Sequence, residues 1–370
     1  MLVNGRFLAQ PNTGVQRYAR ETLLALDSLL LDTASTEIEL ELCVPRGAAP
    51  IPLRHIRVRE LPWLRGHAWE QVTLALHAGS DPIVGLSYSG PVLKRRQLIT
   101  IHDATVDAVP ACFSRRYRFV HNALLAMLKN RVDSVMTVSE FSASELRTRY
   151  AIRNRLVVGR EGWSHSLARG DEASVLARHG LASGRYVLLV GSIKPNKNLD
   201  VVWRALAEAE CPWTIAVAGA RDERIFRNVR VQSKRMKLLG FVAEEELGVL
   251  YKHAAWFLLP SVYEGFGLPA LEAMANGCPV IAARAASLPE VCGDAALYFD
   301  PHDARGLAAL LRQLASNDGA RADLRRKAAA QLAHYTWVAN AQILLGEILG
   351  LLGMNAAPAA VALPGARQLT

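Results

Sequence analysis

Two glutamates, Glu264 and Glu272, stand in an E-x7-E spacing around the string Gly265-Phe266-Gly267-Leu268-Pro269. The apolar run Trp256–Leu259 before them reads as a strand, and the residues from Pro269 onward read as a helix. Pro269 suits the first helical position, where its missing N–H is not needed. The glycines let the backbone come close to a ligand and adopt positive φ. The N–H groups of Phe266, Gly267 and Leu268 would then point out of a helix N-terminus, which makes an anion site. Diphosphate is the natural occupant. An ionised carboxylate accepts hydroxyl protons, so a glutamate on either side of a diphosphate describes a nucleotide sugar. The same string also reads as a strand–turn–helix connection with two surface glutamates.

The elements that must position this segment alternate along the whole chain. Ile38–Val44, Ile83–Gly85, Gln97–Ile101 and Ser134–Val138 read as strands of a first half. Thr13–Leu31, Arg116–Arg131 and Glu140–Tyr150 read as its helices, the last with Ser139 as N-cap. Gly159–Gly184 is rich in Gly, Ser and charge and marks a boundary. A second series opens at Tyr186–Val190, with further strands at Thr214–Ala218, Lys237–Gly240, Ala255–Leu259, Pro279–Ala282 and Ala296–Tyr298. This alternation predicts an α/β protein of two doubly wound parallel sheets, with ligands in a cleft at the carboxyl ends of the strands. The expected division is an N-terminal domain 1–165, a C-terminal domain 166–336, a last helix 337–352 returning to the first domain, and an Ala/Pro-rich tail 353–370 without order.

The 370 residues are 51% hydrophobic and 21% charged, a globular composition with ample core. The net charge is +9, which favours an anionic partner. Residues 1–185 hold 24 basic and 17 acidic residues, so most of the excess lies there. Five scattered cysteines, Cys43, Cys112, Cys211, Cys278 and Cys292, form no C-x-x-C pair and fit a reducing compartment. The first residues lack a signal peptide's pattern, and no run approaches the ~18 apolar residues of a membrane span. The expected location is cytoplasmic, with peripheral contact at the inner face of the cytoplasmic membrane.

The segment EGFGLPALEAMANGCPVIAARAASLPEVCGDAALYFDP resembles the E-x7-E region of retaining GT-B glycosyltransferases of family 4. The likeness extends to NGRFLAQPNTGVQRYARETLLAL, HDATVDAVPACFSRRYRF, VMTVSEFSASEL, LLVGSIKPNKNLD, LLGFVAEEELGVLY and YTWVANA. Only Arg46–Gly79 and the tail match poorly. The resemblance implies roles at matching positions. Glu272 would hold the ribose hydroxyls, and Glu264 the donor sugar near its C3 and C4 hydroxyls. Gly265 and the amides of Phe266–Leu268 would hold sugar and phosphate, and Lys197 would neutralise the leaving diphosphate. Many relatives carry an arginine just before this lysine or a few residues earlier; here Asn196 and Ser192 occupy the region, so a second cation is expected. Gly14, beside Val15, would approach the diphosphate from the other domain, although relatives often show a Gly-Gly pair. His102, before Asp103 at the end of a strand, would donate to a sugar hydroxyl. Val242, after Gly240-Phe241, would flank the base.

No D-x-D motif occurs. That fits a site whose charge compensation comes from Lys197 and helix N-termini, with no metal and no other cofactor. Retaining transfer is implied: the sugar–phosphate bond opens toward an oxocarbenium-like state and the acceptor attacks the same face. The departing phosphate takes the hydroxyl proton. Mannose from GDP-mannose is the first choice of donor, with rhamnose, glucose or N-acetylglucosamine from dTDP- or UDP-sugars as alternatives. A nucleotide-sugar epimerase, a phosphorylase and a non-catalytic sugar-nucleotide-binding subunit are the competing readings. The acceptor is expected to be polyprenyl-diphosphate-linked or an oligosaccharide in surface polysaccharide assembly. Lys94-Arg95-Arg96, Arg115-Arg116-Tyr117-Arg118, Lys129-Asn130-Arg131, Trp63 and Trp69 form the expected surface toward anionic lipid and that acceptor. Phe119, Leu124, Leu125 and Leu128 are expected on one face of their helix. No nucleic-acid module is visible, so nucleic acid is not an expected partner.

Overall fold

The computed structural model describes residues 1–32, 38–168, 171–208, 212–219, 235–315 and 318–354. Cys211 and the tail 355–370 lie outside the described residues. The chain divides into two compact units. The first holds Met1–Ala104, Arg115–Gly162 and the chain from Thr336 onward; the second holds Thr105–Ser114 and Trp163–Tyr335. The sequence division placed Thr105–Ser114 in the first domain. It packs instead in the second unit, where Cys112 Sγ meets Asn196 Oδ1 at 3.4 Å and Lys194 Nζ sits over the Phe113 ring.

The first unit is built on a seven-stranded parallel sheet. Its strands are β1 (Leu2–Asn4), β2 (Glu41–Pro45), β3 (Arg57–Leu61), β4 (Ile83–Gly85), β5 (Gln97–Thr100), β6 (Ser134–Thr137) and β7 (Arg155–Val158), in the order β3-β2-β1-β4-β5-β6-β7. The second unit has six parallel strands: β8 (Tyr186–Val190), β9 (Thr214–Ala218), β10 (Met236–Gly240), β11 (Trp256–Leu259), β12 (Val280–Ala283) and β13 (Ala296–Phe299), in the order β10-β9-β8-β11-β12-β13. Both are doubly wound. The order reverses between β1 and β4 in one sheet and between β8 and β11 in the other. At such a switch point neighbouring loops leave in opposite directions and open a crevice at the carboxyl ends.

Burial explains which strands the sequence revealed. β8 and β11 are covered on both faces and read as continuous apolar runs, as central parallel strands do. β3 and β7 were not anticipated. They are edge strands, and β3 exposes Arg57, Val58, Arg59 and Glu60, so neither carries a buried period. Ser139 caps Glu140–Tyr150, its Oγ accepting from the Ser142 N–H at 3.0 Å. In the helix Arg115–Leu128, Leu125 and Leu128 are buried, whereas Phe119 is 75% exposed. Phe119 therefore lies on the face opposite to the one predicted, because nine residues from 119 to 128 amount to about two and a half turns.

The last helix, Trp337–Leu352, packs on Gly14–Asp32 within the first unit, and Asn340 Nδ2 donates to Thr22 Oγ1 at 2.7 Å. Among the described residues, Gly319–Leu352 is the one stretch long and apolar enough to be a candidate span. It is two helices, Asp318–Leu332 and Trp337–Leu352, and the apolar one has 16 residues, short of the ~20 that a bilayer needs.

A buried polar knot ties the end of β1 to its surroundings. Glu70 is fully buried, and its Oε1 accepts from Asn4 Nδ2 at 2.6 Å, Ser89 Oγ at 2.8 Å and Arg6 Nε at 3.3 Å. Glu70 belongs to the helical segment Gly66–His77, whose middle turns Trp69–Leu74 are π-wound. Removing one partner of a buried ion pair strands the other charge. Glu70→Ala is therefore expected to lower unfolding stability by about 3–5 kcal/mol in a denaturant titration, against about half of that or less when Arg6 and Glu70 are together replaced by apolar residues of similar size.

Candidate functional site

The switch point of the second sheet carries the E-x7-E segment. The recess there is lined by Gly191, Ser192 and Lys197 after β8 and by Pro260 and Ser261 after β11. Lys197 ends a short 3-10 turn, Pro195–Lys197. Its Nζ donates to Glu264 Oε1 at 2.6 Å, and Ser261 Oγ donates to the same oxygen at 2.5 Å. Both side chains of the ion pair are under 20% exposed, so each charge is neutralised where water alone would do it poorly.

Two asparagines hold these loops together. Asn196 is buried; its Nδ2 donates to Tyr263 O at 3.2 Å, and its own carbonyl accepts from Val262 N–H at 2.9 Å. Asn198 takes a left-handed conformation at φ 50°, and its Nδ2 reaches Pro260 O at 3.1 Å and Pro301 O at 2.8 Å. Asn196 thus serves as a strut between the two loops.

The turn after Glu264 is fixed from below. Ser287 Oγ, fully buried, lies 2.9 Å from Glu264 O and 2.7 Å from Phe266 O. Gly267 has φ +103° and a Cβ there would stand 2.6 Å from Leu288 Cδ2, so only glycine fits. Gly267 is the N-cap of the helix Leu268–Ala275, which makes Pro269 its second residue and not its first. Among the described residues, the N–H groups of Phe266, Gly267 and Leu268 donate to no protein acceptor. They are the unsatisfied donors of a helix start.

Glu272 lies one turn into that helix and is 2% exposed. Its Oε1 is 3.0 Å from His165 Nε2, and its Oε2 accepts from Tyr251 OH at 2.8 Å. It is a buried, hydrogen-bonded carboxylate and not a surface glutamate. His165 and Tyr251 were not singled out in the sequence, since they lie 107 and 21 positions from Glu272 and form no local motif. In the same unit Gly240 has φ +74°, Phe241 after it is 83% exposed, and Val242 is half-buried.

The remaining predicted residues lie in the first unit. Gly14 opens the helix Gly14–Asp32, is exposed, and a Cβ built on it meets nothing within 4 Å. Val15 follows, half-buried. The fold itself does not require a glycine at position 14. His102 follows β5 and is 4% exposed. Its Nε2 donates to Leu86 O at 3.1 Å, and its ring packs against Tyr18 and Tyr88 at 4.7 and 5.1 Å between centroids. A carbonyl can only accept, so the Nε2 proton is committed and Nδ1 carries the lone pair. In the neutral ring Nδ1 is then the face left to accept. Burial lowers its pKa from 6.5 to about 4, against the opposing pull of the Leu86 carbonyl and of Asp103.

Residues 184–317 match the family described as "Glycosyl transferases group 1". O-antigen chain mannosyltransferase B of Escherichia coli is 31% identical over 267 residues, which cover 68% of this chain and 70% of that protein. The chain belongs to the group 1 glycosyl transferases. O-antigen chain mannosyltransferase RfbU of Salmonella typhimurium is 25% identical over 333 residues, covering 85% of this chain and 90% of that one. Sucrose-phosphate synthase from Thermosynechococcus elongatus has the same GT-B fold, with a TM-score of 0.72 over 95% of this chain and 98% of that one at 19% identity. This group 1 enzyme is a glycosyltransferase that moves a hexosyl group. Its two units each carry the parallel sheet of that fold.

His102 gives a pH prediction with a definite sign. Its folded pKa lies below 6.5, so the unfolded chain binds a proton that the folded chain refuses. Its contribution to stability is complete above about pH 6.5 and is lost as the pH falls toward 4. The slope of unfolding free energy against pH in that window is expected to flatten in His102→Asn, measured by urea titration at a series of pH values.

Proposed function

We propose that the chain transfers mannose from GDP-mannose, with retention of configuration and without a metal, to a polyprenyl-diphosphate-linked or oligosaccharide acceptor in surface polysaccharide assembly. The observation that carries this reading is the Lys197–Glu264 pair beside the unsatisfied amides of Phe266–Leu268. An ammonium and a helix N-terminus together suit a diphosphate. A bound donor exchanges partners with this pair: Lys197 turns to the phosphate, and Glu264 accepts from sugar hydroxyls. Gly265 leaves room for the sugar. Ser192, lining the recess, donates to phosphate, and Val242 flanks the base.

Glu272, held by His165 and Tyr251, is a carboxylate with about four acceptor positions. The ribose hydroxyls donate to these. As the sugar–phosphate bond opens, negative charge grows on the leaving oxygen, and Lys197 and the amides stabilise it. The departing phosphate takes the acceptor's proton. The relatives' names, both O-antigen chain mannosyltransferases, support the donor sugar and the acceptor class.

The first unit presents a surface suited to anionic lipid. Trp63, Leu76, Leu93 and Phe119 are each more than 70% exposed. Gln71 joins the helical segment Gly66–His77 to the loop after β4, bonding Gly90 O at 2.9 Å and Val92 N at 2.8 Å. Tyr88 in that loop meets His121 of the helix Arg115–Leu128 at 5.8 Å between rings. Arg65, Lys94, Arg95, Arg115, Arg116 and Arg118 neighbour these apolar residues along the chain, and the helix carries no acidic residue. Apolar anchors within basic charge bind anionic membranes.

Three outcomes are expected. In a thermal-shift panel, GDP and GDP-mannose stabilise the protein and UDP and dTDP do not; stabilisation by UDP or dTDP alone replaces the donor, and none by any nucleotide ends the reading. Lys197→Ala lowers turnover by about 10²–10³ at saturating donor, and wild-type turnover is unchanged when Mg²⁺ and Mn²⁺ are omitted. The protein floats with liposomes containing anionic lipid and not with neutral ones; absence of flotation with both removes the membrane contact.

A further inference from the structure

Three side chains of metal-ligand type converge at the opposite end of the first sheet. Glu41 and Cys43 are two residues apart on β2, so they project from the same face. His77, at the end of the helical segment Gly66–His77, meets them there. His77 Nε2 is 2.9 Å from Glu41 Oε1, and Cys43 Sγ is 3.7 Å from the same oxygen. The three ligand atoms all lie within 4.8 Å of one another.

This spacing is close to what one small ion requires. Tetrahedral Zn²⁺ has bonds of about 2.3 Å to sulfur and about 2.0–2.2 Å to nitrogen and oxygen, which sets ligand atoms about 3.4–3.6 Å apart. Parting His77 from Glu41 by about half an ångström makes room for the ion. The surroundings also suit it. Cys43 is fully buried against Leu2, Leu61, Trp69, Leu74, Ala78 and Ile83. Glu41 and His77 are partly exposed, at 17% and 26% of their side chains, which leaves an entry from solvent. Arg59 NH1 lies 3.6 Å from Glu41 Oε2, holding the carboxylate so that Oε1 faces the cluster.

We propose that Glu41, Cys43 and His77 form a Zn²⁺ site that fastens the helical segment Gly66–His77 to β2. A thiolate, an imidazole and a carboxylate are a zinc donor set, and the thiolate disfavours Mg²⁺ and Ca²⁺. Binding releases the Cys43 thiol proton to solvent and moves the His77 ring proton from Nε2 to Nδ1, freeing the Nε2 lone pair. Water completes the fourth position. Glu41 is the first residue of β2, so the ion sits at the amino-terminal end of the sheet, away from the carboxyl ends where ligands of such sheets bind. Its role is structural and independent of the proposed transfer.

The test uses the full chain, stripped of metal and titrated with Zn²⁺ against a chromogenic zinc chelator, with Co²⁺ as a spectroscopic probe. One equivalent of Zn²⁺ is expected to bind and to raise the melting temperature. Co²⁺ should give the near-ultraviolet thiolate-to-cobalt band, kept in Cys112→Ser and lost in Cys43→Ser. In His77→Gln, a change at a partly exposed position, zinc uptake should fall at least tenfold while the metal-free melting temperature stays close to that of metal-free wild type. Failure of the wild type to take up the ion overturns the proposal, as does uptake without the thiolate band. Uptake that is unchanged in both variants overturns it equally. None of these results depends on which nucleotide sugar the enzyme uses.

Discussion

The contact between Lys197 and Glu264 is the interaction around which the second unit is arranged. A largely buried ammonium and a largely buried carboxylate are costly to hold singly, and together each removes the other's need for water. Everything near them serves that pairing. Ser261 adds a second donor to the same oxygen, Asn196 and Asn198 lock one loop to the other, and Ser287 fixes the carbonyls of the turn. The proposed donor would give each a new partner, a phosphate for the lysine and hydroxyls for the glutamate.

The sheets explain where such a pair can form. Parallel strands end together at one edge, and a reversal of strand order leaves a gap between the loops that follow. In the second unit β8 and β11 flank the reversal, so Lys197 and Glu264, 67 positions apart, come within 2.6 Å. The first unit repeats the arrangement with β1 and β4, and its buried Arg6–Glu70 knot occupies the ground beside β1. The two sheets share a plan and spend their polar groups differently: one pair keeps a small opening to solvent, the other is sealed.

How far the site was readable depended on whether its signal was local. Glu264, Gly267 and Glu272 lie within one strand–turn–helix, and the turn demands a glycine at φ +103°, so type and spacing carried the information. Lys197 was readable through its own short motif. His165 and Tyr251 were not, because each meets Glu272 through tertiary packing alone. Asn196 carries a role that the motif did not show. Its position in the motif suggested a weakened phosphate clamp, and only its bonds to Tyr263 and Val262 revealed a strut. Phe119 and the strand β3 failed for a third reason: both are exposed, and exposure removes the burial pattern on which periodicity rests.

The sequence by itself determined the α/β alternation, the places of most helices and central strands, the glycine-bearing turn before the helix Leu268–Ala275 and the family likeness. These are consequences of short-range rules, since an apolar run, a cap or a glycine acts within a few residues. Tertiary structure alone decided that Thr105–Ser114 joins the second unit, that Glu272 is buried between a histidine and a tyrosine, and that His102 presents a lone pair rather than a proton. It also brought Glu41, Cys43 and His77 together. Hydrogen bonds and burial depend on distance in space, and in a doubly wound sheet the residues nearest in space are often a hundred positions apart in the chain.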